Sequence, residues 1–169
     1  LISQAEHIPL HLGLMPTMIK NALATYGTEN LVDGDVLITN NPYFGGSHLP
    51  DMCVITPVFW EGQLLAVVAN MAHHVDVGGL TPGSMATHAT EIFQEGVRVP
   101  PVKLFSAGTL QHELLAVLLT NIRTQDKTRG DIMAQVADNS LGKHRIHEVL
   151  PEWGAERFET STAARVHYI

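Results

Sequence analysis

Two β-type runs of nearly equal length, Met52 to Trp60 and Gln63 to Ala72, flank the dipeptide Glu61-Gly62. Apolar, β-branched segments separated by a Gly-containing two-residue break predict a tight hairpin. If Trp60 pairs with Gln63 and the pairing runs on without interruption, Asp51 stands opposite Ala72 and Pro50 opposite His73. The register matters because a slip of one residue turns every side chain to the other face. Polar stretches sit at both strand ends: His48-Leu49-Pro50-Asp51 before the first strand and His73-His74-Val75-Asp76-Val77-Gly78-Gly79 after the second. The hairpin brings both to its open end.

The rest of the chain divides around this unit. From Met15, the residues Met15, Met18, Ile19, Ala22, Leu23 and Tyr26 recur at helical spacing, with Pro16 in a first turn and Gly27 as a stop. Asp35 to Thr39 reads as a strand closed by the turn signal Asn40-Asn41-Pro42. Asp76 to Gly108 is rich in Gly and Pro without periodicity, predicting a long irregular segment that walls or covers a site. Leu110, Leu114, Leu115, Leu118 and Leu119 restore a helical pattern, and Ile132, Val136, Ile146, Val149 and Leu150 extend it. Pro151 and Gly154 mark a break before a last amphipathic stretch. The predicted class is α+β, with a hairpin-containing sheet in the first half and a mostly helical second half.

Composition removes several functions. Ten Lys and Arg against seventeen Asp and Glu, with no basic run, argue against nucleic-acid binding. Apolar stretches such as Leu64 to Ala69 and Leu114 to Leu119 are too short to cross a bilayer, so no membrane span is expected. The single cysteine, Cys53, rules out an internal disulfide and a thiolate zinc site, and fits a reducing cytoplasm. The 169 residues suffice for one domain with a real core. A start at Leu1 without an initiator Met reads as residues 1–169 of a larger subunit.

The chemistry-bearing residues lie at the strand ends. His48 and Asp51 form a His-x-x-Asp spacing after Gly45-Gly46-Ser47, where the backbone can bend, and His73 and His74 close the facing strand. Neutral imidazole and carboxylate suit Zn²⁺, Mn²⁺ or Fe²⁺, and three protein ligands leave positions open for water and substrate. The expected ligands are His48, Asp51 and His73. His74 and Asp76 are candidates to orient them or face substrate, since metal-bound imidazoles need an acceptor on the other ring nitrogen. The competing reading is that these histidines only end strands and satisfy backbone groups.

Other features are weaker. His7 and His11, four apart, read as a solvated or capping pair, with metal ligation as the sharper alternative. His88, His112, His144, His147 and His167 lack a carboxylate or Cys partner at telling spacing and are assigned to the surface. Tyr43 is a possible substrate contact. Glu91 and Glu95 would share one face if Thr90 to Gly96 is helical, as a solvated face or a general acid/base. Cys53 reads as core, and no P-loop, dinucleotide fingerprint or nucleophile elbow is present.

Taken in order, Gly34-Asp35-Val36, Asn40-Asn41-Pro42-Tyr43, Gly45-Gly46-Ser47-His48-Leu49-Pro50-Asp51, Ala69 to Gly79 and Pro82-Gly83-Ser84-Met85 resemble the hydantoinase B/oxoprolinase family. The likeness continues through Glu91 to Gly96, Pro100 to Leu104 and Asn121 to Thr124. That family includes B subunits of ATP-dependent hydantoinases, halves of 5-oxoprolinases and alpha subunits of acetone and acetophenone carboxylases. The resemblance implies a divalent metal on His48, Asp51 and His73, manganese in the acetone carboxylase branch. It also implies ATP held by a hydantoinase A-type partner. The first implied reaction is hydrolysis of a cyclic amide such as a hydantoin or 5-oxoproline, with one of His74, Asp76 or Glu91 shuttling protons. The alternative is carboxylation of a ketone.

Overall fold

The computed structural model describes residues 9–166. The elements run α1 (Pro9–Tyr26), β1 (Val36–Thr39), β2 (Asp51–Trp60), β3 (Gln63–His73), β4 (Val102–Ser106), β5 (Thr109–Leu110), α2 (His112–Thr120), α3 (Gln125–Trp153) and α4 (Ala155–Val166). The strands form one antiparallel sheet in the order β3-β2-β1-β4-β5. This is the predicted α+β architecture, with the sheet preceding α2, α3 and α4.

Both faces of the central strands are covered. Because side chains alternate along a strand, Val36, Ile38, Met52 and Val54 point to one face. There they share a core with Leu115, Leu118 and Leu119 of α2 and Ile132 of α3. Leu37, Cys53 and Ile55 point to the other face, against Met18 and Ala22 of α1. All four residues of β1 and the first eight of β2 are buried, which explains their unbroken apolar runs. Cys53 is core as expected, and burial pushes its thiol up to about 12.

The β2–β3 hairpin turns at Glu61-Gly62, where both residues have positive φ (50° and 81°), as a type I′ turn requires. Trp60 pairs with Gln63 and Phe59 with Leu64, but Val58 pairs with Ala66. Leu65 is therefore an extra residue, a bulge that shifts the register by one from there to the open end. Asp51 stands opposite His73, not Ala72 as an uninterrupted ladder predicts.

Three further expectations need correction. The first helix is already formed at Pro9, where the described residues begin, six residues before the expected start, and Pro16 lies inside it. Burying the face formed by His11, Met18 and Ala22 outweighs the hydrogen bond that Pro16 cannot donate. The segment from Asp76 to Gly108 is not wholly irregular, because it contains β4, and Leu110 belongs to β5. Pro151 does not break α3, which runs to Trp153 and ends at Gly154 with φ 73°. Among the described residues no helix is long and apolar enough to cross a membrane.

Candidate metal centre

The site forms where the β2–β3 hairpin opens, on the face that α1 covers. Asp51 is the first residue of β2 and His73 the last of β3. Residues opposite each other in an antiparallel pair point to the same face, so the bulge at Leu65 puts His73 beside Asp51. Without that bulge, alternation would turn His73 to the far face. His74, one residue on, does point that way.

His48 comes from the loop between β1 and β2, which is held at several points. The side-chain amide of buried Asn40 donates to the carbonyls of Leu49 (2.7 Å) and Val97 (2.8 Å), and its oxygen accepts from Val99 N (2.7 Å). Asn41 accepts from Tyr43 N (3.2 Å), forming the predicted turn. Asn21 of α1 donates to Phe44 O (3.1 Å). Gly45 has φ 102°, and a Cβ there would come within 2.8 Å of Thr17, so the loop lies directly on α1.

Asp51 is the centre of the cluster, and its side chain is wholly buried. Oδ1 lies 2.9 Å from His73 Nδ1 and 3.1 Å from His11 Nε2. Oδ2 lies 2.8 Å from His48 Nδ1 and also accepts a hydrogen bond from Ser47 Oγ. Burial pushes the Asp51 carboxyl up, but hydrogen bonds from Ser47 and His73 and the rings of His48 and His11 hold it below its usual range. The site therefore presents an ionised carboxylate at neutral pH.

His48, Asp51 and His73 each offer a donor atom, and these atoms lie within 4.8 Å of one another. Buried Nδ1 of His48 makes no hydrogen bond despite its 2.8 Å approach to Oδ2. Donors bound at about 2.1 Å to one cation sit roughly 3 Å apart, so the contacts of 2.8 and 2.9 Å suit a shared ion. Two imidazoles and one carboxylate are a donor set for a borderline divalent metal. The His48 and His73 side chains are about a third exposed, which leaves an open side.

The other predicted residues lie outside this cluster. His74 is buried, with Nε2 2.9 Å from Gln135 Oε1 on α3. Burial lowers its ring below the ordinary imidazole range, favouring the neutral form. Asp76 pins a loop: Oδ1 accepts from Gly78 N (3.0 Å) and Arg123 N (3.1 Å), Oδ2 from Gly83 N (2.9 Å) and Arg123 Nη1 (3.0 Å). Glu91 is exposed and precedes a three-residue turn, Ile92–Gln94, so Glu91 and Glu95 do not share a helical face. Tyr43 is exposed, with the Arg98 guanidinium 5.7 Å from its ring centroid. His7 and His167 lie outside the described residues. His88, His112 and His144 are exposed, and His147 is half-buried beside Trp60.

Ser47 and Asn40 are not singled out as site residues by the sequence, which offers His11 only in a pair with His7, with metal ligation as the weaker reading. His11 carried a usable signal, because positions 11, 18 and 22 repeat at intervals that share a helix face once α1 is extended past Pro16.

Residues 1–168 match the hydantoinase B/oxoprolinase family. The chain is 41% identical over 166 residues to 5-oxoprolinase 1 of Arabidopsis thaliana, covering 91% of this chain and 13% of that protein. It is 36% identical over 157 residues to caprolactamase subunit beta of Pseudomonas jessenii, covering 93% and 27%. The crystal structure of ATP-dependent caprolactamase from that organism superposes with a TM-score of 0.92 at 34% identity, over 96% of this chain and 28% of that one. A nucleotide-free acetone carboxylase gives 0.85 at 28% identity, over 90% and 20%. The chain thus spans less than a third of each of these relatives. With the match running nearly end to end, the chain belongs to the hydantoinase B/oxoprolinase family.

Proposed function

We propose that this chain is the metal-holding part of an ATP-dependent enzyme that opens cyclic amides, with His48, Asp51 and His73 as the ligands. The observation that carries this reading is the buried Asp51 carboxylate set between two partly exposed imidazoles whose donor atoms converge. A divalent cation held there would act as a Lewis acid toward a carbonyl oxygen. The chain's own residues keep the carboxylate ionised, hold both imidazoles toward the open side and shield Asp51 from water. We assign His74 and Asp76 to support of the scaffold rather than proton transfer, because one is buried against Gln135 and the other is fully engaged. Glu91 is left as the proton-transfer candidate with an exposed carboxylate.

The substrate class is supported by the relatives named 5-oxoprolinase and caprolactamase. A "subunit beta" has a companion subunit, and the chain carries no nucleotide motif, so ATP is assigned to a hydantoinase A-type partner. Ketone carboxylation is the second reading, favoured by the fold shared with acetone carboxylase. ATP turnover by the full-length complex separates the two. Turnover is expected with 5-oxoproline, hydantoin or a lactam and none with acetone plus bicarbonate; the reverse selects the carboxylase. His48→Ala and His73→Ala should each remove the bound metal while leaving the subunit folded, and full metal retention by both would reject the centre.

A further inference from the structure

His11 approaches the cluster from α1, yet it is not one of the three converging donors. Its side chain is 9% exposed, and Nε2 lies 3.1 Å from Asp51 Oδ1. The atoms of His48, Asp51 and His73 form the set within 4.8 Å of one another, and His11 is outside it. His11 therefore meets the carboxylate rather than the point the three donors share. The 3.1 Å approach is a polar contact without the alignment of a hydrogen bond, and the negative carboxylate favours the tautomer with its hydrogen on Nε2.

We infer that His11 is a positioning residue, which holds the Asp51 carboxylate in its ligating orientation from the α1 side. This rests on the metal reading above. Each carboxylate oxygen then has a non-ligand partner, Ser47 on Oδ2 and His11 on Oδ1. Such partners restrict rotation of a ligating carboxylate and commonly affect metal affinity about 10- to 100-fold. The helix suits the task because it is fixed to the His48 loop by the Asn21 hydrogen bond to Phe44 O and by the contact of Gly45 with Thr17. Displacement of α1 would thus disturb His48 and Asp51 together.

The test measures Mn²⁺ affinity of the full-length complex for wild type, His11→Gln, His11→Phe and His11→Asn. Gln places an amide N–H near the position of Nε2; Phe fills the volume without a donor, and Asn is too short to reach. The expected result is near wild-type affinity for H11Q and a loss of about 10- to 100-fold for H11F and H11N. The Co²⁺-substituted absorption spectrum at saturation should be the same in all four, because the ligands do not change. Metal-free melting identifies any variant that fails to fold, and the other donorless variant then decides. Wild-type affinity in a folded donorless variant would overturn the inference. A failure of H11Q to rescue, or a changed Co²⁺ spectrum, would overturn it too. A wild-type complex that takes up no Mn²⁺ would overturn both this inference and the metal reading, whereas metal uptake indifferent to His11 overturns this one alone.

Discussion

Asp51 and Asp76 are both buried carboxylates held ionised, but they do different work. Asp51 faces imidazoles whose donor atoms converge with its own, whereas Asp76 is saturated by three backbone N–H groups and the Arg123 guanidinium. Burial pushes Asp76 up, yet the bonds from Gly83, Arg123 and Gly78 bring it below the ordinary carboxylate range. A folded-state value below the unfolded one gives stability that is present above the unfolded pKa and lost as pH falls through the folded one. Asp76→Asn should therefore cost about 1.5–3 kcal/mol at neutral pH, the usual worth of bonds to a charged group, and flatten the acid limb of the stability profile. Urea unfolding at neutral and acidic pH checks this; an unchanged acid limb would show that Asp76 does not carry it.

At the scale of elements, one extra residue decides whether the site exists. Inserting one residue between Leu65 and Ala66 should shift the pairing beyond the bulge by one, place Asp51 opposite Ala72 and turn His73 away. Metal analysis with circular dichroism tests this, with lost metal and a retained sheet as the expected result. Across the sheet, Gln135 of α3 donates to Met52 O and Asn70 Oδ1 while its oxygen meets His74 Nε2. Gln135→Leu should destabilise by about 1–3 kcal/mol, because it strands buried polar groups, and leave metal content intact if His74 is only scaffold. The hairpin, its turn, β1 and the helical second half were legible because they depend on local pattern. The bulge was not, since Leu64 and Leu65 are chemically alike and only packing against the rest of the sheet chooses which is extra. β4 was hidden by Pro100-Pro101 and the Gly-rich sequence before it; its pairing with β1 spans more than sixty residues. Pro16 concealed the first turns of α1, and with them the helical placement of His11.

For the whole molecule, the arrangement is a sheet covered on both faces, with its polar centre at the hairpin's open end under α1. The sequence names His48, Asp51 and His73 as the expected ligands and the structure brings their donor atoms together, but the choice of His73 over His74 acquires its physical reason only from the observed register. A ligand that binds only the folded state stabilises it by about 2.7 kcal/mol at a hundredfold excess over its Kd. Mn²⁺ should accordingly raise the melting temperature of the wild type, and a chelator should reverse the gain; His48→Ala should show neither effect. The most direct measurement is anomalous diffraction from crystals of the full-length complex grown with Mn²⁺. A peak is expected at about 2.0–2.3 Å from Asp51, His48 and His73 together. An ion bound elsewhere, or no peak at this cluster, would contradict it.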